Sequence, residues 1–124
     1  MKKILVVNDD KAIQSMVKDM FGSYVEVLQA FTLAKAQELY TQNKDAILIV
    51  VDGSVETPKT VDTIPFVEGV VRDGYLGVLL AASQDTDPNV KLMQAGCHYS
   101  ISEGGANPSS NFLATIRRLI GSGK

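Results

Sequence analysis

Ala46-Ile47-Leu48-Ile49-Val50-Val51-Asp52-Gly53 is the strongest strand signal in the chain, an apolar, mostly β-branched run that stops abruptly on an acid and a glycine. A run without polar alternation suits a strand buried on both faces, as in parallel sheets covered by helices. Ile4-Leu5-Val6-Val7 repeats the pattern near the start and ends on Asn8-Asp9-Asp10. Two buried strands that both end in acid define the problem: what lies between them, and whether their ends meet.

Helical periodicity fills the intervals. Ile13, Met16, Val17, Met20 and Phe21 form one apolar stripe, closed by Gly22. Tyr24 to Leu28 reads as a second strand, with Val25 and Val27 on one face. Leu33, Ala36, Leu39 and Tyr40 form a second stripe. Beyond Asp52, a polar stretch from Ser54 to Thr60 contains Pro58. Phe66, Val67, Val70 and Val71 then form a third stripe, ended by Asp73-Gly74. Leu76 to Ala82 reads as a fourth strand. Asp87-Pro88 resembles an N-cap followed by proline at the first helical position, opening a helix with Val90, Leu92 and Met93 that stops at Gly96. Tyr99 to Ser102 reads as a short fifth strand. Ser109 or Ser110 caps a last helix with Phe112, Leu113, Ile116, Leu119 and Ile120 inward.

Five strand–helix units predict an α/β fold: a parallel five-stranded sheet between two helical layers, doubly wound. With right-handed crossovers, the expected topology is the flavodoxin-like (βα)5 order 2-1-3-4-5. The 124 residues suit one core, read as a domain over 1–121 with a tail at 122–124. A net charge of −2 without long charge runs argues against nucleic acid or an anionic membrane surface as a direct partner. No apolar run is long enough to span a bilayer. The short apolar start is no signal peptide, and the single Cys97 excludes an internal disulfide; both fit a cytoplasmic protein.

In an open parallel sheet, ligands bind beyond the carboxyl ends of the strands at the topological switch point. Asn8, Asp9 and Asp10 lie at that end of the first strand and Asp52 at that end of the third, adjacent in the expected order. Acids gathered there resist joint ionisation unless a cation is present. Such an oxygen-rich site suits Mg²⁺, which takes one or two carboxylates and keeps waters. The plain alternative is that Asp9 or Asp10 caps the first helix.

The order and spacing of these features resemble the CheY-like receiver domain of bacterial response regulators over almost the whole chain. The matching residues are Ile4-Leu5-Val6-Val7-Asn8-Asp9-Asp10, Asp52 after its apolar strand, Ala95-Gly96-Cys97 before the fifth strand, and Ala30 and Ala36. The resemblance implies a phosphorelay protein and not an enzyme in the usual sense. Asp52 would accept a phosphoryl group from a sensor histidine kinase or phosphotransfer protein. Asp9, Asp52 and the backbone carbonyl of Ser54 would hold Mg²⁺, with Asp10 and Asn8 as further candidates. The fourth helix, fifth strand and fifth helix, including Arg117 and Arg118, would meet an effector or a second copy; the plain reading of the two arginines is a solvated face.

Several positions depart from the family pattern. Asn8 stands where an acid is usual, bringing an oxygen without charge. The strand-four hydroxyl position aligns by spacing with Ala81, and Ser83 replaces it only if the loop shifts. The phosphate-binding lysine aligns with Glu103, followed by Gly104 in place of proline. The switch aromatic aligns with Ser100, with Tyr99 on the opposite face. Pro58 falls about two residues later than usual, and Lys59 beside it offers a replacement cation. These departures predict a weakened Mg²⁺ site and an impaired switch, and keep open a pseudo-receiver that binds partners without phosphorylation. A haloacid-dehalogenase-like phosphohydrolase is remote, because Asn8-Asp9-Asp10-Lys11 lacks the Asp-x-Asp motif. Nucleotide binding lacks a glycine-rich loop. Cys97 and His98, adjacent on a strand, face opposite ways and form no ligand pair. Met16, Met20 and Met93 are expected in the core.

Overall fold

The computed structural model describes residues 1–102 and 110–122. Among the described residues, five strands form one parallel sheet in the order β2-β1-β3-β4-β5. They are β1 (Lys3–Val7), β2 (Glu26–Ala30), β3 (Leu48–Val51), β4 (Val78–Ala81) and β5 (Tyr99–Ser100). The helices are α1 (Lys11–Phe21), α2 (Leu33–Gln42), α3 (Ile64–Arg72), α4 (Thr86–Ala95) and α5 (Ser110–Ser122). No helix among the described residues is long and apolar enough to cross a membrane.

Strand alternation divides the core in two. Ile4, Val6, Leu48, Val50, Leu80 and Ala82 pack with α1 and α5 through Ile13, Val17, Phe112 and Ile116. Leu5, Val7, Ile49, Val51, Leu79 and Ala81 pack on the other face with Ala36, Tyr40, Val67, Val70 and Leu92 from α2, α3 and α4. The fully apolar strand runs thus have a physical cause: both of their faces are covered.

Several boundaries differ from expectation. The second strand begins at Glu26 and not at Tyr24, while Val25 and Val27 do share one core. The fourth begins at Val78, leaving Leu76 fully exposed, and the fifth ends at Ser100. Helix α4 starts at Thr86 after Asp85, which places Pro88 third in the helix; proline is tolerated in a first turn because its missing N–H has no partner there. Helix α5 runs through Ser122, the first residue of the expected tail. Met20 and Met93 are exposed and Met16 is half-buried, so the methionines lie at the margins of their stripes and not in the core. Ser109, Glu103 and Gly104 lie outside the described residues.

Candidate functional site

A cleft of about 620 Å³ opens at the carboxyl ends of β1, β3 and β4, lined by Asn8, Asp9, Asp10, Asp52, Ser54, Lys59 and Ser83 among others. The parallel pairing of β1 with β3 brings the two acidic strand ends together. A slightly larger cleft, about 650 Å³, lies at the opposite end of the sheet around Tyr40, Lys44, Asp73 and Tyr75.

The residues after β1 divide their work. Asp10 caps α1, its Oδ1 accepting the N–H groups of Ala12 at 2.8 Å and Ile13 at 3.3 Å. Asn8 is buried, and its Oδ1 accepts the Asp10 N–H at 2.8 Å. Asp9 is exposed between them on the cleft. Gln14, wholly buried on α1, donates its amide to the carbonyls of Val6, Asn8 and Ala30, fixing the ends of β1 and β2 against the helix.

Asp52 is half-buried. Among the described residues its hydrogen-bond donors are the Gly53 N–H at 2.9 Å and the Ser83 hydroxyl at 3.1 Å, both on Oδ1. Oδ2 is left open to the cleft. The carboxyl is raised to about 6: burial lifts it most, the bonds from Ser83 and Gly53 pull against that, and the nearby Asp9 and Asp62 add to the rise.

Ser83 corrects the reading by spacing. The ladder pairs Val51 with Ala81 and continues in the Ala82 N–H bond to the Val51 carbonyl, so Ser83 falls opposite Gly53. Its hydroxyl accepts the Gly53 N–H at 2.7 Å while donating to Asp52. The strand-end hydroxyl is therefore present in the site, and Ala81 is a buried core residue two positions earlier. Ser100 pairs with Ala81, and Tyr99 pairs with Leu80 on the other face of the sheet.

Three polar residues that sequence reasoning missed hold this end of the sheet. The wholly buried Thr63 donates its hydroxyl to the carbonyls of Asp52 and Gly53. Asn89, buried on α4, accepts the Ser83 N–H at 2.9 Å and donates to the Ile101 carbonyl at 3.2 Å. Asp62 accepts the N–H groups of Val55, Glu56 and Thr57. The only sequence signal for them was a polar residue beside a helix start, which is also how solvated loops look. His98 is set apart from Cys97, its Nδ1 accepting the Leu79 N–H at 2.9 Å.

No family model matches the sequence, and no curated protein matches it. Solved structures do. A CheY-like response regulator receiver domain protein from Methanospirillum hungatei superposes with a TM-score of 0.76 at 21% identity, covering 99% of this chain and 96% of that one. The chain has the receiver-domain fold. The non-phosphorylated HemR receiver domain from Leptospira biflexa gives 0.76 at 21% identity, over 97% and 94% of the two chains. Chemotaxis protein CheY4 from Vibrio cholerae gives 0.75 at 20% identity, over 96% and 98%. In the receiver fold, Asp52 occupies the carboxyl end of the central strand.

The donors at this end of the sheet are oxygens: the carboxylates of Asp9 and Asp52, the amide of Asn8 and the carbonyl of Ser54. Among the described residues no three His, Cys, Asp or Glu side chains converge tightly enough to hold a metal by themselves. A hard cation that keeps several waters and takes two carboxylates fits this set, and the repulsion felt by Asp52 gives it charge to neutralise.

Proposed function

We propose that this chain is the receiver module of a two-component signalling pathway and accepts a phosphoryl group on Asp52. One observation carries the reading: Asp52 is fixed through Oδ1 by Gly53 and Ser83, with Oδ2 open to a cleft shared with Asp9. A carboxylate anchored on one oxygen and free on the other is positioned as a nucleophile.

Asp9, Asp52 and the Ser54 carbonyl would hold Mg²⁺. When bound, the ion would offset the negative charge that gathers as a phosphoryl group approaches a carboxylate. Asn8 in place of an acid leaves the set one charge short, so affinity would be lower than in a site with both acids. Asp10 serves as the helix cap. The phosphoryl donor would be a histidine kinase or phosphotransfer protein, and the exposed Val90, Met93 and Tyr99 on α4 and β5 offer an apolar face for an effector or second copy. The pseudo-receiver reading draws support from the charges acting on Asp52, which come from Asp9 and Asp62 and are both negative.

Intact-mass spectrometry after incubation with acetyl phosphate and Mg²⁺ separates the two. A phosphoryl adduct that is absent from Asp52→Ala and suppressed by chelation supports the acceptor. No adduct on folded protein, with a typical receiver labelled in parallel, leaves the pseudo-receiver.

A further inference from the structure

The loop after Asp52 is shaped by polar bonds. Asp62 accepts the N–H groups of Val55, Glu56 and Thr57 at 2.9, 2.8 and 2.8 Å, and the Ser54 hydroxyl donates to the Thr60 carbonyl at 2.5 Å. At the turn so formed Lys59 adopts φ 64°, the only positive value at a non-glycine residue among those described. That left-handed conformation is disfavoured for a lysine by contact between its Cβ and the backbone.

Lys59 lines the Asp52 cleft, where the acids are Asp9, Asp10, Asp52, Asp85 and Asp87 and the cations are Lys59 and Lys91. Lys91 is engaged, its Nζ 3.7 Å from the Asp87 carboxylate. The Lys59 ammonium is in no ion pair among the described residues. A phosphoryl group on Asp52 adds roughly two negative charges to a cleft already rich in acid. The position that aligns with the family's phosphate-binding lysine carries Glu103.

We propose that Lys59, from the β3–α3 loop, is the cation that receives the phosphoryl group on Asp52. The inference rests on the acceptor reading given above. In the transfer from acetyl phosphate, an Asp52 carboxylate oxygen forms the new bond to phosphorus. The bond from phosphorus to the acetyl oxygen breaks, and acetate leaves with the electron pair. Lys59 keeps its proton throughout and pairs with the phosphoryl oxygens. Among the described residues the charges that act on Asp52 are those of Asp9 and Asp62, both negative, so the incoming phosphoryl group would find Lys59 free of any ion pair on the same cleft.

The test is the initial rate of adduct formation by intact mass, with acetyl phosphate and Mg²⁺, for the parent, Lys59→Asn, Lys59→Gly, Lys59→Arg and Lys91→Gln. Asparagine and glycine both accept the left-handed conformation, so removing the charge there does not strain the fold; melting midpoints at or above the parent's verify this. The expected result is a loss of about tenfold or more in Lys59→Asn and Lys59→Gly. Lys59→Arg recovers most of the rate, and Lys91→Gln stays near the parent. Equal rates in the parent and both charge-removing variants overturn this proposal alone. So does a loss that appears in Lys91→Gln instead. A parent that takes no adduct overturns the acceptor reading and this inference with it.

Discussion

The Ser83 Oγ stands 3.1 Å from Asp52 Oδ1 and accepts the Gly53 N–H at 2.7 Å, so one hydroxyl joins the end of β4 to the end of β3. The contact anchors the candidate acceptor. It also bears on stability, because it does not fully offset the burial of the Asp52 carboxylate.

Asp52 holds its proton more tightly folded than unfolded, at about 6 against 3.8. The folded pKa is raised, so the stability it contributes is complete below about pH 4 and is lost as pH rises through about 6. Asp52→Asn keeps an oxygen for Gly53 and Ser83 and removes the charge. At pH 7.5 the variant should be more stable than the parent by on the order of 2 kcal/mol, after discounting for partial exposure. At pH 4 the gap should close. Urea midpoints at the two pH values check this, and an equal gap at both would show that Asp52 ionisation is not the source.

Asn8→Asp should have opposite effects with and without metal. The residue is buried and its Oδ1 accepts the Asp10 N–H, a role a carboxylate also fills. The added charge would join Asp9 and Asp52 in the lining of one cleft. Without Mg²⁺ the variant should melt below the parent through like-charge repulsion. With millimolar Mg²⁺ it should show the larger rise in midpoint, because at a fixed concentration a tighter ligand stabilises the folded state more. A rise no larger than the parent's would remove Asn8 from the metal site.

Gly53→Ala should damage the junction that Ser83 makes. A Cβ on Gly53 would lie 2.6 Å from the Pro88 Cβ and 2.8 Å from the Ser83 Oγ. The proline belongs to the first turn of α4 and cannot swing aside, so the helix or the strand end must move. The expected loss is about 1–3 kcal/mol, with slower labelling of Asp52. Ser83→Ala removes the hydroxyl without the clash and should lose about 1 kcal/mol. A Gly53→Ala variant as stable as Ser83→Ala would mean the steric term is absent.

Much of the fold was legible because β1 from Ile4, β3 and most of β4 are buried on both faces, so those stretches are apolar without interruption. The acids that end β1 and β3 then located the cleft. Ser83 was not legible, since its role depends on ladder register: counting from the family spacing points to Ala81, while the ladder places Ser83 opposite Gly53. The start of α4 was misread for a related reason. Asp87-Pro88 has the form of a cap and first helical residue, yet the same pair also fits inside a first turn. Thr63, Asn89 and Asp62 bond to backbone up to twelve residues away, and no local pattern announces such bonds.

Tyr40→Phe should weaken the end of the domain opposite the cleft. The Tyr40 hydroxyl donates to Asp73 Oδ2 at 2.6 Å, and Lys44 Nζ lies 3.1 Å from the same oxygen. The bond from Tyr40, with Lys44 beside it, holds the Asp73 carboxyl below its usual range, while burial and the carboxylate push the phenol up to about 12. Removing a hydrogen bond to a charged acceptor should lower the urea midpoint. Asp52 labelling should be unchanged, because Tyr40 does not line that cleft. Altered labelling with stability intact would instead reveal coupling between the two ends of the sheet.

Cys97 should report global unfolding. It is buried with Leu79, Ala81 and Leu92, and burial pushes its thiol up to about 12. Both its low exposure and its scarcity of thiolate slow attack on a disulfide or alkylating reagent. At pH 8 the native protein should therefore react far more slowly than an unfolded cysteine. Reaction should accelerate in urea in step with the loss of helical circular dichroism. Fast modification of native protein would mean that β5 and the start of its ladder open locally, well below the free energy of global unfolding. The Leu79 N–H bond to His98 Nδ1 beside it works against such opening. His98→Ala removes that acceptor, so any local route to Cys97 should speed up in this variant, whereas a purely global route should track its urea midpoint alone.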